Sequence, residues 1–153
     1  MNYNSLRLND SDKSHDSSLC SHYSNYIAFK FFMCYNKTMK ENKLLTLSQE
    51  FAVEIIKIAQ LLKDKKEYGF ADQIKRSGTS ISANIAEGNN PQSRADMISK
   101  FEIALKEASE TENWLTVLKD AELITAEAFQ LLYKKVVKIK ILLIKSIKTL
   151  KSK

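Results

Sequence analysis

Residues 68–88 read YGFADQIKRSGTSISANIAEG, polar at most positions but apolar at Phe70, Ile74, Ile81 and Ile85. Those four return to one face of a helix. Small residues (Ser77, Gly78, Thr79, Ser80) interrupt the row. A glycine inside a helix costs about 1 kcal/mol against alanine, a cost that close approach by a neighbouring helix would offset. Such a segment needs partners, and the rest of the chain supplies them. Residues 46–65 place Phe51, Ile55, Ile58, Ala59 and Leu62 at helical spacing behind a Thr46/Gln49 capping box. Residues 94–120 carry Met97, Phe101, Ala104, Leu105, Ala108, Leu115 and Leu118, with Ser93 and Asp96 as a second box and Glu102/Lys106 spaced for an ion pair. Gly88, followed by Asn89, Asn90 and Pro91, reads as a left-handed stop for the second helix.

The last helix, residues 126–150 behind the N-cap Thr125, has two stripes. Phe129, Leu132, Val136, Ile139, Leu143, Ile147 and Leu150 form one; Tyr133, Val137, Ile141 and Ile144 lie beside it. Together they cover roughly 200° of the helix, where one core-facing stripe needs about 100°. A four-helix monomer has no use for the second stripe, so it predicts a subunit interface. Four helices with short connections predict an all-α, antiparallel up-down-up-down four-helix bundle that assembles into a homo-oligomer. The 3 Gly and 1 Pro in 153 residues are too few for a turn-rich β protein.

Residues 1–38 differ from the remainder. They hold both histidines, both cysteines (Cys20, Cys34) and seven serines, with no helical period. They read either as a disordered or partner-binding tail or as an extension ahead of a true start at Met39 or Met33, leaving residues 39–153 as the bundle domain. The cysteines support neither a disulfide framework nor a metal site, which points to a reducing cytoplasm. YIAFKFFMCY is too short for a bilayer span and carries Lys30, so no membrane segment is expected.

Net charge is +6, and its distribution says more than its size. From residue 126 onward there are 8 Lys and 1 Glu (8 − 1 = +7), whereas residues 40–125 hold 12 Lys/Arg and 14 Asp/Glu (12 − 14 = −2). The basic character belongs to the last helix. It reads either as a solvated face or as a contact for an anionic partner, RNA or DNA, through Lys134, Lys138, Lys145 and Lys148. Residues 40–153 contain no histidine, which removes the Glu-x-x-His ligands of a di-metal bundle and any Ser-His or Cys-His pair. No catalytic residue, metal site or cofactor is expected, and no enzyme activity. In the second helix, Lys75, Arg76, Asn84 and Glu87 read as a structural polar network: Asn84 bonding across the bundle, Glu87 pairing with a cation such as Arg76 or Lys75 of this chain or a neighbouring one. The alternative is that Asn84 and Glu87 line a pocket or central channel.

QIKRSGTSISANIAEG and SRADMISKFEIALKEASETENWL, with the strings Ser80–Gly88, Ile103–Ala108 and Glu110–Leu115 inside them, resemble the 23S rRNA intervening-sequence proteins. The resemblance covers residues 44–150 and leaves out the tail. Relatives often carry two arginines after Gln-Ile; here the pair is Lys75-Arg76. The resemblance implies an antiparallel bundle assembled as a homopentamer, of largely unassigned role, in bacterial genomes. A related branch, the accessory proteins of diversity-generating retroelements, forms basic pentamers that bind nucleic acid and a reverse transcriptase. By analogy, the expected function is a non-enzymatic oligomer that binds structured RNA or other nucleic acid. The alternative is a protein–protein scaffold that binds none.

Overall fold

The computed structural model describes residues 42–152. The reading of residues 1–38 as a tail or an early start lies outside them. Four helices follow in order: α1 (Lys43–Asp64), α2 (Tyr68–Gly88), α3 (Arg94–Asp120) and α4 (Ala126–Lys151). Each packs on its chain neighbours, and α4 closes back on α1, giving an antiparallel four-helix bundle. No strand occurs among the described residues.

The predicted stripes form the core. Phe51, Ile55 and Leu62 of α1 and Ile74, Ile81 and Ile85 of α2 are fully buried. They meet Leu115 and Leu118 of α3 and Leu132, Val136, Ile139 and Leu143 of α4. Each such side chain contributes roughly 1.5–3 kcal/mol by leaving water. Ile58, Phe70, Met97, Leu105 and Leu150 pack at its edge. Phe70 meets the Trp114 ring edge-on, centroids 6.1 Å apart. Three polar side chains are also buried: Ser48, Ser77 and Thr111. Each hydroxyl donates to a backbone carbonyl of its own helix, Leu45, Gln73 and Glu107 respectively, so burial leaves none unsatisfied.

The side-chain caps of α3 and α4 agree with the sequence. Ser93 accepts from the Asp96 N–H at 3.1 Å, and Thr125 accepts from the Ala128 N–H at 3.2 Å. Asp96 completes its box one residue early, accepting from the Gln92 N–H. Three expectations are corrected. The α1 cap is Asn42, whose side chain accepts from Leu45, rather than Thr46. That start adds a turn and buries Leu44, a gain the Thr46 start forgoes. Gly88 is helical, and no glycine has a positive φ. Left-handed residues instead follow α1 and α3, at Lys66 (φ 66) and Glu122 (φ 57). There the N–H of Glu67 reaches the Leu62 carbonyl and that of Leu123 reaches Leu118, the paired closure of a Schellman end. Finally, Glu102 pairs with Lys151 of α4 at 2.7 Å, not with Lys106, because the bundle brings the C-terminal turn alongside α3.

Candidate nucleic-acid interface

Glu127 is the only acidic residue of α4, so its lysines depend on other helices for partners. Those on its flanks find them. Lys135 reaches Glu54 of α1 at 2.7 Å, Lys140 pairs with Glu112 of α3, and Lys151 pairs with Glu102. Lys134, Lys138, Lys145 and Lys148 point away from the bundle, are exposed, and belong to no ion pair among the described residues. At about 100° per residue these four fall within an arc of about 80°, and they extend about 21 Å along the axis. The i,i+4 pair Lys134/Lys138 repels by a few tenths of a kcal/mol. The face is therefore a local cost to the helix, not a source of its stability.

Of the second stripe of α4, Ile141 falls within the lysine arc, while Tyr133, Val137 and Ile144 lie beside it. Tyr133 and Val137 are half-buried, Tyr133 against the Phe129 ring at 5.2 Å, while Ile141 and Ile144 are 47% and 39% exposed. Leu131 on the other flank is 55% exposed. The bundle thus leaves part of the stripe uncovered.

Of the other predicted residues, Arg76 and Glu87 meet partners on the seam between α2 and α3. Arg76 reaches Glu110 at 3.1 Å and its own helix neighbour Gln73 at 3.0 Å; the Trp114 indole N–H donates to the same Glu110 carboxylate at 3.3 Å. Glu87 pairs with Lys100 of α3, rather than with Lys75 or Arg76. That carboxylate holds the Lys100 ammonium above its usual pKa, through the hydrogen bond first and the charge second. Asn84 does not cross the bundle: its amide donates to the carbonyl and hydroxyl of Ser80, at 2.9 and 3.2 Å. One turn of separation lets an Asn side chain fold back onto its own helix, so nothing forces it across. Lys75 is exposed and joins no described ion pair; its carbonyl accepts from Thr79. The network is thus two cross-helix ion pairs flanking a local amide bond.

A groove runs between α1 and α4, lined by Lys43, Thr46, Leu47, Glu50, Lys138 and Leu142. Lys43 escaped the sequence reading because the Thr46 start left it outside the helix. The signal was there: Leu44, Ser48, Phe51 and Ile55 keep helical spacing behind Asn42. No group of three or more His, Cys, Asp or Glu among the described residues is arranged to hold a metal. No helix among them is long and apolar enough to cross a membrane.

The architecture defines an antiparallel four-helix bundle with an exposed basic face on its last helix and a polar seam between its second and third. The chain belongs to the 23S rRNA-intervening sequence protein family, which matches residues 40–145. Among solved structures it is similar to a protein of unknown function from the S23 ribosomal protein family of Bacteroides thetaiotaomicron VPI-5482. The two share 47% identity over 69% of this chain and 98% of that one, with a TM-score of 0.67. No curated protein matches the sequence.

Proposed function

We propose that this chain is a non-enzymatic, cytoplasmic homo-oligomer, pentameric by its resemblance, that binds structured RNA or related nucleic acid. The carrying observation is the sorting of the α4 lysines. Every inward-flanking one has a carboxylate partner, while Lys134, Lys138, Lys145 and Lys148 stay exposed on one face and unpaired among the described residues. Such a face neutralises phosphates and carries no base code. Repetition around an oligomer would multiply weak contacts. Anisotropy of a labelled RNA hairpin against the full chain, at several salt concentrations, tests this. Four phosphate contacts on a duplex give a log–log salt slope of about −3.6 per subunit engaged. Changing Lys134, Lys138 and Lys145 together to Glu is expected to abolish binding with helicity intact. Unchanged binding by that variant would overturn the assignment.

The exposed Leu131, Ile141 and Ile144 among these lysines favour a second reading, a scaffold for an acidic protein partner. A partner retained from nuclease-treated lysate and lost with the lysine variant, without RNA binding, would select it.

A further inference from the structure

We infer that the depression beside Lys145, at the end of the bundle, is a pocket for one unpaired nucleotide of the bound RNA, with its phosphate on Lys145 and its base inside. The inference rests on the reading just given and adds a base-reading site, which the lysine face does not supply.

The depression is built by α1, α3, α4 and the C-cap of α2, and has a volume of about 450 Å³. Small-ligand sites are concave, roughly 300–1,000 Å³, and mainly apolar with a few placed polar groups. Here Leu44 of α1 with Met97 and Phe101 of α3 makes an apolar floor. The polar groups are those of Asn42, Asn89 and Thr149, and the cation is Lys145. Arg94 donates to the carbonyl of Leu150, another lining residue, which brings a second cation to the same end of the bundle.

These polar groups offer both senses of hydrogen bond. Asn42 Oδ1 accepts from the Leu45 N–H at 3.3 Å as the α1 cap, so its Nδ2 is turned to donate to Asn89 Oδ1, at 2.9 Å. Asn89 Nδ2 is thereby left as a donor, and it meets no acceptor among the described residues. The Thr149 hydroxyl donates to the Lys145 carbonyl at 3.0 Å, which leaves its oxygen lone pairs to accept. A nucleobase carries donors and acceptors on the edge of a flat body whose faces suit an apolar floor. An inorganic anion has no such body, and an ionised fatty acid has no donor for Thr149. Lys145 also belongs to the exposed lysine face, so a backbone tracking α4 passes the mouth of the depression. A paired base cannot turn in, because its edge is held by its partner. An unpaired base in a loop, in a bulge or at an end can, and such bases are where proteins read RNA sequence.

The experiment uses the full chain and three labelled RNA hairpins that share one stem: blunt, with a two-nucleotide 3′ overhang, and with the same overhang made abasic. Anisotropy is followed at several salt concentrations. The two overhangs carry equal numbers of phosphates, so their salt slopes are expected to agree. The base-bearing overhang is expected to bind about tenfold more tightly than the abasic one, the scale of one well-seated base. Thr149→Trp fills the depression from its exposed rim without replacing a buried residue or a lysine. It is expected to erase that difference and to leave the blunt hairpin unaffected. Ser99→Trp, exposed on α3, is expected to preserve the difference. Equal binding of the two overhangs to the parent chain overturns the pocket and leaves nucleic-acid binding standing; this comparison needs no variant to fold. A difference that survives Thr149→Trp, or that Ser99→Trp erases as well, puts the base elsewhere and overturns the pocket too. If no hairpin binds, the function proposed above falls with it.

Discussion

Gly78 and Gly88 are both helical, and both sit where a methyl group has no room. A Cβ on Gly78 would lie 2.6 Å from Cγ2 of Ile55, and one on Gly88 would lie 2.6 Å from the Phe101 ring. Helix propensity favours alanine by about 1 kcal/mol, but overpacking costs about 1–3 kcal/mol, so packing decides the sign. Gly69 has nothing within 4 Å of its added Cβ and reports propensity alone. Urea denaturation is expected to rank Gly69→Ala above the parent and Gly78→Ala and Gly88→Ala below it. Stabilisation by Gly78→Ala would mean α1 yields at Ile55. Glu127 gives a second residue-scale test. Its own backbone N–H, and then the Thr125 hydroxyl, hold its carboxyl below the usual range. A depressed folded-state pKa stabilises above the unfolded value, and the contribution disappears as pH falls through the folded one. Lys100, raised by Glu87, runs the other way and loses its contribution as pH climbs through its folded value. Thr125→Ala is expected to cost about 1 kcal/mol as a lost cap and to move the Glu127 titration, followed by carbon NMR, back toward the ordinary range. A midpoint that stays put would remove Thr125 as a cause.

Among the elements, the seam that closes α4 onto α1 is the thinnest of the four. At its middle, Lys135 and Glu54 pair at 2.7 Å with both side chains 28% exposed, and the second Glu54 oxygen is buried without a partner. Removing one member strands the other in a partly dry place, so Lys135→Met or Glu54→Gln is expected to cost about 1–3 kcal/mol, between exposed and buried pairs. Replacing both with leucine restores apolar packing and is expected to recover most of the loss. A double-mutant cycle by denaturation measures this; losses that simply add would show no coupling between the two. The seam also marks where sequence reading stops. Periodicity, with the caps Ser93 and Thr125, placed the starts of α2, α3 and α4, because each stripe and each cap lies on one element. Lys135–Glu54, Arg76–Glu110 and Lys100–Glu87 depend on how one helix is registered against another, which no single stripe encodes. The sequence expectation for Glu102 took its partner from the same helix. Yet Lys151, 49 positions later, reaches it from α4. The free lysines of α4 were legible for the converse reason: the helix has one acidic residue, and whatever points away from the core stripe has no carboxylate to meet.

For the whole molecule, Ile141 and Ile144 set the question, since the bundle buries the first stripe of α4 and leaves these two wet. A surface carries isolated apolar side chains without consequence, but these adjoin half-buried Tyr133 and Val137 as one strip on one helix. Covering that strip with another subunit would place the neighbouring lysine face of each copy around a common particle. Size and RNA affinity should then change together. Ile141→Gln with Ile144→Gln removes the apolar contact without altering charge or any of Lys134, Lys138, Lys145 and Lys148. Light scattering is expected to show smaller particles with the circular-dichroism helix signal retained. RNA affinity is expected to fall by tenfold or more, because contacts shared across linked subunits are lost without any lysine being touched. Smaller particles with undiminished affinity would mean that one bundle suffices for binding. Particles of unchanged size would show that the strip does not join subunits, and Val53 with Ile56, exposed on α1, would be the next apolar pair to test.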